Sequence, residues 1–390
     1  MALDGCLSKT PITAKTRAAI IRYLWNREET TLIQPDGFDW DAYFSYYTQQ
    51  CIQALHHRGR YISARTHKDI IDIARDLEES RNKDDIKQLL RSKLTTPKSA
   101  DEEEVLLEGS INLATRLLVM MDFGDLPLGF CGRPQLGWHD GSLCLKDVVH
   151  GYFNQPQALG HENIKLDKIF TARNLGRIAG IEIVWTDNLA DHLRVVGDDD
   201  TKVRIFHHAS FLKWQQSSIF PDGLIEEALN TLALLFPQSD PKTQKWFESL
   251  LNTLPDFVQL DRKLIKCGQL RAEKRQFEGF KFWHDRLVIL KQVFDQSRPA
   301  TLSQWWHDRR NVVQWYTFWV AISVLFLTIF FGLVQSIEGA LQVYKSYHPT
   351  TGPVVVVVRP PAGTYNYSNR PIPKSQPRIV TPLPSRKLEH

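Results

Sequence analysis

Residues 315–334 read WYTFWVAISVLFLTIFFGLV, with no charge, no proline and one glycine near the end. A helix rises 1.5 Å per residue, so about 20 residues cover the roughly 30 Å of hydrocarbon in a bilayer. The uncharged window is wider still, 311–337, and aromatic residues crowd its entrance: Trp305, Trp306, Trp315, Tyr316 and Trp319. Tryptophan and tyrosine gather in this way at membrane–water interfaces. The core helix of a soluble protein seldom runs this long without a charge. The stretch therefore reads as one membrane span, and it divides the chain into a large N-terminal part and a short tail.

The N-terminal part is long enough to bury a core of its own. Its pattern predicts a mainly α fold: a helical domain with a small antiparallel β insert, one C-terminal transmembrane helix and a disordered proline-rich tail. The expected organisation is an N-terminal helical region, 1–122; a helical domain with a small sheet at about 181–208, 123–300; a juxtamembrane and transmembrane helix, 301–346; and the tail, 347–390. In the first region, 12–25, 38–55 and 68–93 read as helices, the last with a break near 81–84. Tyr43, Tyr47, Cys51 and Leu55 recur every four residues and share one helical face. A polar linker over 95–104 ends in an acidic run, which suits the positive end of the next helix dipole. That helix runs to about Met121.

Residues 123–142 are rich in glycine and proline and read as a loop, followed by a short helix over 143–153. Ile181, Ile183 and Trp185 alternate with Glu182, Val184 and Thr186, a strand signature. Residues 193–196 and 202–208 read as two more strands joined by the turn Gly197-Asp198-Asp199-Asp200-Thr201. Val203, Ile205 and His207 fall on one face, and Arg204, Phe206 and His208 on the other. Asp222 is expected to cap a helix carrying Ile225, Leu229, Leu232 and Leu235. Trp246, Phe247, Leu250, Leu251 and Leu254 mark another helix. A long amphipathic helix is expected over about 270–296. Thr301-x-x-Gln304 has the form of a capping box, and a continuous helix is expected from there to Tyr344.

The net charge of +4 hides an asymmetry. Beyond Ile337 there are seven basic and two acidic residues, a net +5, which leaves 41 basic against 42 acidic in the rest, a net −1. A near-neutral domain lacks the basic face of a nucleic-acid binder. The five cysteines, Cys6, Cys51, Cys131, Cys144 and Cys267, are odd in number and scattered, as in a reducing compartment. No apolar stretch of signal-peptide length opens the chain.

Orientation follows from the charges beside the span. Arg298, Arg309 and Arg310 precede it and Lys345 follows it, so the positive-inside rule places the large domain in the cytosol. A span of this length fits a thin bilayer such as the endoplasmic reticulum. In the tail, the run of valines at 354–358 could add a strand to a sheet edge. The tail also holds the one glycosylation sequon, at Asn366. On the same helix, Gly332, Ser336 and Ala340 lie four apart, the last two at or beyond the membrane edge, as small residues do where membrane helices self-associate.

Chemistry-bearing side chains concentrate in the small sheet: Asp187, Asp191, His192, Asp198, Asp199, Asp200, His207 and His208. Carboxylates and imidazoles bind metals or move protons. Asp187, Asp191, His192 and His207 are the candidates for a catalytic role. His207 and His208 alternate along a strand and are not expected to join one site. Cys131, His139 and Cys144 form a weaker trio, without a C-x-x-C knuckle. Phosphate-binding, dinucleotide-binding, nucleophile-elbow and zinc-protease motifs are absent from the sequence, so no cofactor or resident metal is expected.

The strings IEIVWTDNLADHLRVVGDDDTKVRIFHHASFLKW, FPDGLIEEALNTLALLFP and WHDRLVILKQVFDQSRPATLSQWWHDRRNVVQWYTFWVA resemble a large family of uncharacterised membrane proteins of filamentous ascomycete fungi. The resemblance covers roughly residues 105–348. It implies a membrane-anchored fungal protein with this C-terminal helix, and brings no activity, substrate or catalytic residue. The expected function is that of a non-enzymatic interaction or scaffold protein, with the lipid bilayer and a protein as partners. The alternatives are a membrane-tethered enzyme or metal-binding protein using residues 187–208, and an accessory role in a fungal secondary-metabolite or self-recognition pathway.

Overall fold

The computed structural model describes residues 2–25, 37–94, 98–124, 136–160, 165–197, 199–255, 257–297, 301–308 and 312–348. The chain divides into two units, Met1–Thr317 and Phe318–His390.

In the first unit, helices α1 (Ala14–Leu24), α2 (Asp41–Ala54), the single turn α3 (His56–Gly59), α4 (His67–Glu78), α5 (Lys83–Ser92) and α6 (Ala100–Val119) come first. Their ends are set by local chemistry. Thr13, Asn82 and Ser99 each accept a hydrogen bond from the first turn that follows, which satisfies a backbone N–H the helix leaves open. Thr66 and Asp69 form a reciprocal capping box. The acidic run Asp101, Glu102 and Glu103 lies in the first turn of α6, where expected. Acidic residues along α6 lay α5 against it: Lys83 pairs with Glu108, Lys87 with Glu104 and Arg91 with Glu103. Tyr43 and Tyr46 of α2 donate their hydroxyls to the carbonyls of Leu117 and Arg116, at 2.9 and 3.1 Å. Those bonds join α2 to the end of α6, which stops at Met120 in a left-handed conformation (φ 49°). Of the expected apolar face, Tyr43, Tyr47 and Cys51 are buried on α2, whereas Leu55 is half-buried at the cap position just past its end.

Next come α7 (Leu145–Phe153), α8 (Ala172–Ala179), β1 (Glu182–Thr186), β2 (Val195–Val196), β3 (Lys202–Phe206), α9 (Ala209–Trp214), α10 (Leu224–Leu235), α11 (Pro241–Thr253), α12 (His284–Gln296) and α13 (Leu302–His307). The strand order is β1-β3-β2. The β2–β3 pair is antiparallel as expected, whereas β1 and β3 run parallel in the register Thr186↔Phe206. The insert is therefore a mixed sheet with β3 in the middle.

Three expectations about helix ends are corrected. Asp222 does not cap α10; Gly223 holds the cap position with φ 88°, a conformation that suits glycine. The helix expected over 270–296 begins only at His284, because the backbone N–H groups of Lys281, Phe282 and Trp283 turn to the carboxylate of Glu227 on α10. Ahead of it, residues 270–283 form short 3-10 turns around the buried Phe277 and Phe280. Finally, the helix opened by the Thr301/Gln304 capping box ends after six residues, with Asp308 extended (ψ 99°). Aspartate forms helix poorly, and its charge is unfavourable at the negative end of the dipole.

The last helix, α14 (Val312–Tyr347), has 36 residues, about 54 Å at 1.5 Å per residue. It is long and apolar enough to cross a membrane, and none of its most apolar window is buried within the protein. Thr317, Ser323 and Thr328 donate their hydroxyls to carbonyls one turn back, at 2.8–2.9 Å. Each polar group is thus satisfied within the helix, as a hydrocarbon environment demands. Gly332, Ser336 and Ala340 are exposed on α14. The proline-rich tail, the valine run and Asn366 lie outside the described residues, as do Arg298, Arg309, Arg310, Cys131 and Asp198.

Candidate functional site

The site follows from the parallel register. With Thr186 opposite Phe206, the next residues along the two strands, Asp187 and His207, leave the sheet side by side. β3 ends at Phe206, so His207 and His208 are freed from strand alternation. Their rings stack at 4.0 Å between centroids and 29° between planes. Both place Nε2 near Asp187 Oδ1, at 2.6 Å for His208, within hydrogen-bonding geometry, and 3.3 Å for His207. The expectation that the two histidines could not share a site is corrected, because the strand stops one residue before them.

Both imidazoles are buried, 4 % exposed for His207 and 1 % for His208, while the Asp187 side chain is 41 % exposed. The cluster is interior on its histidine side and open on its carboxylate side. Burial pushes the His208 imidazole down to about 4; the neighbouring His207 adds to this and Asp187 opposes it. Burial would raise the Asp187 carboxyl, but hydrogen bonds from His207 and His208 outweigh it and hold the group far below the usual carboxylate range. At neutral pH the arrangement is an ionised carboxylate facing two imidazoles, with His208 neutral. His207 Nδ1 is buried and has no hydrogen-bond partner among the described residues.

Trp185, two residues before Asp187, lies edge-on to His207 at 6.2 Å. It also lines an open groove of about 510 Å³ with Arg173, Arg177, Ile183, Trp246 and Leu250.

The other candidates are structural. Asp191 is buried between Arg194 (3.0 Å) and Arg204 (2.8 Å). His192 Nδ1 accepts the N–H of Phe206 at 3.1 Å, so its proton sits on Nε2 and points to Thr231 Oγ1 at 2.6 Å. Both ring nitrogens are satisfied. Burial, helped by Arg286, pushes this imidazole down to about 3. Asp199 and Asp200 lie exposed on the turn between β2 and β3. Cys144 donates its thiol to Asp147 at 3.0 Å, and neither it nor His139 joins a metal-ligating cluster among the described residues. Of the expected residues, the fold brings Asp187 and His207 together, adds His208, and assigns Asp191 and His192 to the core.

Compared with protein-family models, with curated proteins and with solved structures, the chain finds no match.

Proposed function

We propose that the chain is a single-pass membrane protein, anchored by α14, whose first unit is a non-enzymatic interaction module facing the cytosol. The observation that carries this reading is the 36-residue apolar helix with no part of its most apolar window buried. An apolar surface of that length in water would be an aggregation liability, and lipid removes the liability. The cytosolic orientation draws on Arg298, Arg309 and Arg310 before the span against Lys345 after it. The four described cysteines, Cys6, Cys51, Cys144 and Cys267, are free thiols, as a reducing compartment requires. The endoplasmic reticulum is the membrane this reading favours, on span length.

Protease protection on sealed microsomes, with one tag at each end of the chain, tests it. Digestion of the N-terminal tag with survival of the C-terminal tag is the expected result. The reverse pattern would overturn the orientation. Loss of both tags, while a lumenal control survives, would overturn the membrane span. A second reading, a membrane-tethered enzyme, draws on one specific observation: the convergence of Asp187, His207 and His208.

A further inference from the structure

We propose that Asp187, His207 and His208 bind a divalent transition-metal ion of the zinc class. The site does not depend on α14 being a membrane span, so it stands or falls separately from the reading above.

Four observations carry the assignment. The donor set is two imidazole nitrogens and one carboxylate oxygen, one ligand atom from each lying within 4.8 Å of the others. Such nitrogen and oxygen sets suit zinc and its first-row neighbours. In a tetrahedral zinc site, bonds of about 2.0–2.2 Å place neighbouring ligand atoms about 3.4 Å apart. His207 Nε2 and Asp187 Oδ1 already stand 3.3 Å apart. His208 Nε2 and the same oxygen, at 2.6 Å, need to separate by about 0.8 Å to reach that spacing. Asp187 has room to supply this movement, because its side chain is 41 % exposed.

The second observation is convergence. Both buried rings bring Nε2 to within 3.3 Å of a single oxygen, so both nitrogens lie within reach of one ion placed beside it. The third is a contrast within the molecule. His192 has the signature of a structural histidine, with both nitrogens hydrogen-bonded. His207 and His208 instead both bring Nε2 to the same carboxylate oxygen, which no other described histidine pair does with a shared carboxylate. The fourth is placement. The ligands leave the C-terminal ends of two adjacent parallel strands, so the backbone itself sets them side by side at one edge of the sheet. Three protein ligands leave a fourth position on the exposed Asp187 side, the pattern of zinc sites that keep a place for water or substrate.

The test uses the full chain in detergent micelles, freed of any affinity tag and stripped with a chelator. It is dialysed against Zn²⁺ in excess Mg²⁺ and analysed for bound metal. One zinc per chain is expected, and Co²⁺ substitution is expected to give the visible absorption bands of four-coordinate cobalt. Asp187→Asn and His208→Gln should each weaken zinc binding by at least about a hundredfold, since losing a direct ligand exceeds the 10–100-fold cost of an outer-shell partner. Far-UV circular dichroism should stay unchanged. If His208→Gln fails to fold, Asp187→Asn decides alone, because it alters a half-exposed side chain. Less than stoichiometric zinc in the wild type, or equal zinc retention in Asp187→Asn, would overturn the site.

Discussion

At the scale of single residues, the sheet region shows how poorly residue type alone distinguishes chemistry from architecture. Asp191 and His192 carry the groups that catalysis uses, yet one is neutralised by two arginines and the other is a core residue with both nitrogens bonded. Strand alternation sends His207 and His208 to opposite faces, and nothing in the local sequence states that β3 ends at Phe206. The hairpin signal around 197–201 was legible, but the parallel pairing of β1 with β3 is a long-range fact that turn residues do not encode. His192 also makes a pH prediction. Its folded value is about 3 against about 6.5 unfolded. The lowered value means the stabilisation is complete above about pH 6.5. It is lost as pH falls toward 3, because the unfolded chain takes the proton first. By pH 4 the loss from this group is about 3 kcal/mol. The groups facing it are Thr231, the Trp283 ring and Arg286, whose guanidinium donates to the His192 carbonyl at 2.7 Å. Thermal unfolding of wild type and His192→Gln between pH 7 and 4 checks this: the variant should start less stable and show the shallower pH dependence. Parallel curves would contradict it.

At the scale of elements, helices with local start signals were the readable part. The Thr301/Gln304 capping box and the break between α4 and α5 followed from a few adjacent residues. The start of α12 did not, because its cap is a carboxylate from another helix: Glu227 gathers three consecutive N–H groups. A tertiary cap has no signature near the helix it caps. The eight-residue α8 was likewise missed, being too short for periodicity to register. Gly109 gives this scale its prediction. In a helix interior, glycine is ordinarily worse than alanine by about 1 kcal/mol, so Gly109→Ala would normally stabilise α6. Here an added Cβ would lie 2.0 Å from the Tyr61 carbonyl oxygen, a backbone atom that cannot swing aside. The substitution is therefore expected to destabilise by about 2 kcal/mol or more, measured by denaturant unfolding. A gain in stability would show that α6 and the 59–63 segment are not packed this closely.

At the scale of the whole molecule, the uncharged stretch that dominates the sequence dominates the structure too. Its helix was legible because a run of bulky apolar residues of bilayer length has few alternative fates. The boundary with α13 was not, since the break at Asp308 occurs in a stretch that otherwise reads as helix. The membrane role of α14 is the claim on which anchoring, orientation and compartment all depend. Alkaline carbonate extraction of membranes containing the full chain tests it directly. The full chain should remain in the membrane pellet. A variant carrying Leu325→Lys and Phe330→Lys should be released, because each charge near a span's centre costs roughly 3 kcal/mol of insertion free energy. Release of the unaltered full chain into the supernatant would contradict a membrane-spanning α14.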